Sequence, residues 1–213
     1  MSTVSTHQVV TNSGAAVQDP PFVTKFLSDP RAGWLFLPLR VWLGYQWVTA
    51  SLHKLSSPDW MVTGSALKGF WTGAVAIPAT GSPAIAFGWY RDFLQYLLSI
   101  QAYAWFARLV AGGEFLVGLG LILGAFTGIA ALFGGLMNWS YMMAGTASTN
   151  PLLFVIAVAL ILGWKVSGYI GADFFLLRWI GTPWRAVPVG AEADPTVAAS
   201  EQPAATAAAA RVV

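Results

Sequence analysis

The sequence contains no cysteine and few charged or histidine residues. The absence of cysteine from all 213 residues excludes thiol chemistry, disulfides, iron–sulfur clusters and thiolate-bound zinc in this chain. Only 9% of the residues are charged and 56% are hydrophobic, whereas a soluble domain has roughly 25% charged residues. The only histidines are His7, in a polar stretch, and His53, at the end of an apolar one, so no bis-histidine haem site is expected. Composition therefore predicts an integral membrane protein that holds neither metal nor haem.

The number and placement of charged residues limit the class of partner and predict the orientation in the membrane. The formal net charge is only +2, and the basic residues form no cluster along the chain, which argues against a nucleic-acid partner. Slightly more lysine and arginine residues flank the chain ends than lie in the long internal connection. The excess of positive charge on cytoplasmic segments then predicts that both termini are cytoplasmic.

Four apolar stretches predict an all-α membrane protein built as a four-helix transmembrane bundle. They cover residues 34–55, about 102–127, about 127–145, and from 151 to beyond 164. Asn150 before a proline is expected to act as the N-cap of the fourth helix, with the proline at its first position.

The long connection and the chain ends complete the predicted domain organisation. Residues 56–101 are expected to form two short interfacial helices around a Pro/Gly turn; alternatively, residues 94–104 lengthen the second span. Residues 1–21 and the Ala/Pro-rich residues 188–213 are predicted to be disordered tails, because they have few bulky apolar side chains. The membrane domain between them covers residues 22–187.

Glu114 is an acid within a long apolar run. A carboxylate that faces lipid costs on the order of 3 kcal/mol or more, so its side chain is expected to face other protein. Gly113, Gly120 and Gly124 lie on one stripe and predict close approach of another helix, whereas Gly118 continues the face of the acid. Glu114 is then either part of a structural ion pair, or protonated, or a proton-handling or ligand-binding group.

Basic residues of the first span lie on one helical face, which includes Arg40, Gly44, Trp47, Ser51 and Lys54. Arg40 is expected to pair with Glu114, because each charge needs a partner inside the membrane. Lys54 and Arg108 are expected to extend toward head groups. Alternatively, Arg40, Lys54 and Arg108, with His53 nearby, attract a small anionic substrate.

The third span carries Gly134, Asn138, Tyr141 and Gly145 on one face. Asn138 is expected either to bond to a neighbouring helix or to contact a ligand. Tyr141 is either a donor to a quinone carbonyl or an anchor at the membrane surface.

Several motifs together resemble the DoxX family. They are L-R-V-W-L-G-Y-Q-W at 39–47, H-K-L at 53–55, A-L-K-G-F-W at 66–71, G-E-F-L-V-G-L-G-L-I-L-G-A-F-T-G at 113–128 and G-T-A-S-T-N-P-L-L-F at 145–154. Within that family the chain is most similar to the DoxD-type membrane subunits of thiosulfate:quinone oxidoreductases. The resemblance implies a four-helix bundle in the inner membrane, a second protein subunit, and quinone-linked redox chemistry. It places Arg40, Lys54, Glu114 and Asn150 at recurrent polar positions.

Two functions from different classes follow. The first is a subunit that passes electrons from a reduced sulfur anion such as thiosulfate to quinone, with Glu114 and Arg40 as catalytic residues. Substrate or quinone binding is assigned to Lys54, His53, Arg108, Asn138, Tyr141 and Asn150, and no metal site is assigned. The second is an accessory or scaffold subunit of a larger respiratory or photosynthetic complex. A transporter is less favoured, because four helices without an internal repeat give little room for alternating access.

Overall fold

The computed structural model describes residues 9–10, 16–17 and 20–180 of the chain. The tail predicted at residues 188–213 lies outside these residues, as does most of the tail predicted at residues 1–21. Within the latter, strands β1 (Val9–Val10) and β2 (Ala16–Val17) form an antiparallel pair. From residue 20 to residue 180 all the regular structure is helical, which confirms the all-α prediction for this part.

Ten α-helices and one short 3-10 turn follow the strand pair in the described chain. They are α1 (Pro21–Leu27), the turn Pro30–Ala32, α2 (Gly33–Leu55), α3 (Pro58–Met61), α4 (Ser65–Val75), α5 (Gly88–Ser99), α6 (Tyr103–Leu123), α7 (Thr127–Met143), α8 (Asn150–Leu162), α9 (Trp164–Ser167) and α10 (Asp173–Ile180). The main body consists of α2 packed on α6 and of α7 packed on α8, with α6 also against α7.

Helices α2 and α6 approach each other through two glycines. A Cβ atom on Gly44 would lie 2.8 Å from the carbonyl oxygen of Gly118, and one on Gly118 would lie 2.9 Å from the carbonyl oxygen of Gly44. The α2–α6 contact therefore lies on the face of α6 that carries Glu114 and not on the predicted glycine stripe. The stripe prediction holds only at Gly120, whose Cβ position lies 3.3 Å from the Cβ atom of Ala130 in α7. It fails at Gly124, which lies beyond the end of α6 with φ +67°, and at Gly113, which has no atom near its Cβ position.

The core between these helices is apolar and closely packed. It includes Phe36, Leu43, Trp47, Val117, Leu121, Ala131, Leu153, Ala157 and Leu160. At the start of α8, Thr149 is the N-cap and Asn150 is the first helical residue. The predicted N-cap is therefore wrong by one residue, and the Asn150 side-chain amide instead donates to the carbonyl oxygen of Thr146 at 3.0 Å.

The connection between α2 and α6 contains α4 and α5, the two short helices expected, and also the single turn α3. The alternative, in which residues 94–104 lengthen the second span, is wrong. Gln101 has a positive φ of 53°, and this separates α5 from α6. A second apolar cluster then packs α4 and α5 against the first half of α6. It includes Leu67, Trp71, Ile85, Tyr90, Leu94 and Ala107.

The outer faces of the long helices are rich in exposed apolar side chains. They include Val41, Trp42 and Tyr45 on α2, Leu116, Leu119 and Leu123 on α6, Leu132, Phe133 and Leu136 on α7, and Leu152 and Val155 on α8. Among the described residues, α6 is the one helix that is both long and apolar enough to cross a membrane, and α8 is apolar but shorter. Only 33% of the apolar window in α6 is buried by the rest of the protein.

Candidate functional site

A buried polar triad joins the three helices α2, α6 and α7. The Glu114 side chain is 1% exposed, and its Oε1 atom forms an ion pair with Nζ of Lys54. The same oxygen accepts a hydrogen bond from the Tyr141 hydroxyl at 2.6 Å, and Nζ of Lys54 lies 3.4 Å from that hydroxyl oxygen. We call these residues the Glu114 triad. The acid thus faces protein, as predicted, and a cation and a phenol share its Oε1 atom.

Each member of the triad comes from a different part of the fold. Lys54 lies in the last turn of α2, Glu114 in the middle of α6, and Tyr141 in the last turn of α7. Nζ of Lys54 also lies 4.9 Å from the centre of the Trp60 ring, a cation–π contact that stabilises the ammonium group. These groups meet because the polar face of α2 and the face of α7 that carries Tyr141 both turn toward α6.

Arg40 lies at the other end of the bundle, so its predicted pairing with Glu114 is wrong. Its Nη2 donates to the carbonyl oxygen of Ile170 at 2.9 Å and its Nη1 to that of Ser167 at 3.3 Å. The guanidinium group packs against Gly124, ten residues and therefore about 15 Å along α6 from Glu114. Backbone carbonyls of the segment 167–170, which sequence reasoning did not count as acceptors, accept from two of the three guanidinium nitrogens, and Nε has no partner in the protein.

Asp173, which sequence analysis missed, completes this second polar region. Its carboxylate accepts hydrogen bonds from the backbone N–H groups of Phe126 at 2.5 Å and Thr127 at 2.8 Å. An acid from a distant segment therefore caps the N-terminus of α7, where negative charge is favourable. The sequence has no local capping residue before Thr127, and this could have indicated that a distant side chain caps the helix. Arg40 and Asp173 together fix the C-terminal segment to the ends of α6 and α7.

The remaining predicted site residues are dispersed. His53 and Arg108 are exposed, and Asn150 bonds within its own segment. The predicted basic cluster is wrong, because Arg40 is bound to carbonyls at the far end and Lys54 is paired with Glu114.

An aromatic cavity of about 600 Å³ lies beside the Glu114 triad. Helices α4, α5, α6 and α7 line it, and its aromatic residues are Phe70, Trp71, Trp89, Tyr90, Phe93, Phe106, Phe133, Trp139 and Tyr141. Its volume is typical of sites for small organic ligands. Sequence reasoning recognised the apolar faces of α4 and α5 but not that they enclose a cavity with α6 and α7.

Tyr141 is the residue that connects the cavity to the triad. Its ring lines the cavity and meets the Phe70 ring edge-on, with 6.1 Å between ring centres, while its hydroxyl bonds Glu114. Gly113, next to Glu114 in the chain, also lines the cavity. The Tyr141 phenol would therefore be the one group between a ligand in this cavity and the buried Glu114 carboxylate.

The other phenol of the cavity is already engaged. The Tyr90 hydroxyl donates to the carbonyl oxygen of Ser140 at 2.9 Å, and this contact fastens α5 to α7. Burial raises the pKa of Tyr90 above its usual value, so the group stays a neutral donor. The cavity is thus apolar over most of its wall, and the hydroxyl of its second phenol, Tyr141, bonds Glu114. Within residues 20–180, no cluster of His, Asp and Glu is arranged to hold a metal ion.

Comparison with known proteins finds no relative of this chain. No protein-family model matches the chain, and neither the curated proteins nor the solved structures include a match. The resemblance to the DoxX family therefore stays a prediction from the motifs.

Proposed function

We propose that this chain is a multi-pass protein of the cytoplasmic (inner) membrane in which α2, α6, α7 and α8–α9 cross the bilayer. The support is the row of exposed large apolar side chains on the outer faces of these helices, since large exposed apolar patches mark surfaces that contact lipid or other protein. Helices α2 and α6, with 23 and 21 residues, extend about 34 and 31 Å, enough for a hydrocarbon core of about 30 Å. Both termini then lie on one side, assigned to the cytoplasm by the distribution of basic residues.

We propose further that the aromatic cavity binds the ring of a membrane quinone. The observation that carries this proposal is the double role of Tyr141, which lines an apolar cavity and bonds a buried acid. A quinone is a flat apolar ring with carbonyl oxygens at its edge, so it matches aromatic walls with one hydroxyl donor. Several of the lining side chains are themselves exposed on the outer surface, among them Phe93, Leu109, Leu116 and Phe133, so a ligand can reach the cavity from the lipid.

In this function the triad supplies one of the protons that quinone reduction requires. Reduction of a quinone to a quinol takes up two electrons and two protons. The Tyr141 hydroxyl donates to Glu114 in the structure, so in this step it turns toward a carbonyl oxygen of the ring and gives its one proton there. The ammonium group of Lys54, 3.4 Å from the phenol oxygen, replaces that proton, and the second proton comes from solvent. The Lys54 ion pair holds Glu114 in place at Tyr141.

The electrons come from outside the described cavity. If the resemblance to the DoxX family holds, two thiosulfate anions combine into tetrathionate and release the two electrons that the quinone takes up. Because the predicted basic cluster does not form within residues 20–180, the proposal places the oxidation of this donor at a second protein subunit. Arg40 is not used, since it contacts neither the cavity nor the triad.

Binding of a short-chain quinone to the purified protein in lipid nanodiscs tests this function. We expect saturable binding that Gly113→Leu abolishes, because Gly113 lines the cavity. Gly112→Leu is the matched control, since neither glycine has a neighbour within 4 Å of its Cβ position and Gly112 does not line the cavity. Tyr141→Phe removes one hydrogen bond, worth about 1 kcal/mol, and should weaken binding roughly fivefold.

Equal binding by the Gly113 and Gly112 variants would contradict the proposed site. Absence of saturable binding, together with isolation of the chain in a larger complex, would support the accessory-subunit function instead.

A further inference from the structure

The interior of the bundle contains a group of polar atoms that the quinone proposal does not use. Among the described residues, seven buried side-chain nitrogen or oxygen atoms have no hydrogen-bond partner in the protein. Four of them belong to three residues of the bundle interior: Nε1 of Trp47, Nδ2 and Oδ1 of Asn138, and Oε2 of Glu114. The exposed fractions of these residues are 3%, 0% and 1%. We call these residues the interior polar cluster.

Helix geometry places Asn138 between the other two residues. A Cβ atom on Gly134 would lie 3.1 Å from Nε1 of Trp47, so Trp47 faces α7 at the level of Gly134. Asn138 follows Gly134 by one turn on the same helical face and precedes Tyr141, which bonds Glu114, by three residues. The carboxamide therefore lies between the level of the Trp47 indole and the level of the Glu114 carboxylate.

The chemistry of the cluster selects its ligand. Trp47 and Asn138 supply N–H donors, whereas Asn138 and Glu114 supply oxygen acceptors. Buried polar atoms in native proteins are almost always paired with protein or with ordered water. A second carboxylate or other anion would be repelled by Glu114, and an apolar ligand would leave every one of these atoms unpaired. Water both donates and accepts, and typically makes about three bonds in such sites.

We infer that the interior polar cluster is a water-binding site, in which one or two water molecules bridge Trp47, Asn138 and the free oxygen of Glu114. The site is closed toward the Arg40 end, because Leu43 and Leu121 are fully buried between the two regions. Glu114 therefore has internal water at Oε2 and the Lys54–Tyr141 pair at Oε1. This inference does not depend on which ligand the aromatic cavity takes.

X-ray radiolytic footprinting of the whole protein in nanodiscs tests the site, because bound water releases hydroxyl radicals that label adjacent side chains. Trp47 and Trp71 are equally buried, at 3% and 4% exposed, and have the same intrinsic reactivity. Trp71 lines the aromatic cavity, so its labelling reports on water there, whereas Trp47 does not line that cavity and should be labelled at a measurable rate in spite of its burial. Asn138→Leu removes the central partner of the water and should lower Trp47 labelling severalfold, whereas Asn150→Leu, the matched asparagine control, should leave it unchanged.

Two results would overturn the inference. Absence of Trp47 labelling in the wild-type protein would show that no water is bound, and this result needs no variant. Undiminished Trp47 labelling in a folded Asn138→Leu protein would show that Asn138 does not hold the water. Failure of the wild-type protein to bind quinone, together with labelling of Trp47, would refute the proposed quinone site and leave the water site in place.

Discussion

The ion pair between Lys54 and Glu114 should dominate the response of the bundle to single substitutions. Lys54→Met leaves the Glu114 carboxylate, which is 1% exposed, without its cation, and removal of one partner of a buried pair costs about 3–5 kcal/mol. Glu114→Gln leaves an ammonium group whose side chain is 18% exposed and lies over the Trp60 ring, so we expect a smaller loss of about 1–3 kcal/mol. The double variant should recover part of the loss, because no unpaired charge remains.

Titration of the detergent-solubilised protein with a denaturing detergent measures these free energies of unfolding. We expect a coupling energy of about 0.5–3 kcal/mol for Lys54 with Glu114. The control pair is Arg40→Met with Glu114→Gln, which should be additive within about 0.5 kcal/mol because the two side chains lie at opposite ends of the bundle. Additivity at Lys54 and Glu114, or strong coupling at Arg40 and Glu114, would refute the assigned pairing.

Other substitutions test the helix cap and the helix contact. Asp173→Ala should lower the free energy of unfolding by about 1–2 kcal/mol, because two backbone N–H groups at the start of α7 lose their acceptor; an unchanged unfolding midpoint would contradict the cap. Gly118→Ala should destabilise by about 1–3 kcal/mol through its clash with α2, whereas Gly112→Ala in the same helix should stabilise by about 0.5–1 kcal/mol. Effects of the same sign at both glycines would argue against the close α2–α6 contact.

The faces of individual helices could be predicted from the sequence because periodicity is local. Arg40, Trp47 and Ser51 are buried on the predicted face of α2, and Lys54 on that face reaches the interior acid. Likewise Glu114 faces protein, because its charge cannot remain in an apolar run without a partner. These features depend on 3.6 residues per turn and on the cost of burying charge.

Partners across helices could not be predicted in the same way. Arg40 and Lys54 share one face, and which of them meets Glu114 depends on where α2 crosses α6, at Gly44 and Gly118. Arg40 finds its acceptors among backbone carbonyls of a segment about 130 residues later, and no side-chain pattern marks those. The aromatic cavity depends on the orientation of four helices at once.

Photoaffinity labelling with an azido-quinone in lipid nanodiscs tests the central claim most directly. The account predicts that the label attaches to residues of α5, α6 and α7 that line the aromatic cavity, and that excess unmodified quinone displaces it. Gly113→Leu should abolish this labelling and Gly112→Leu should preserve it. Labelling spread over the outer faces of α2 and α8, or labelling that unmodified quinone does not displace, would contradict the assignment of the cavity as a quinone site.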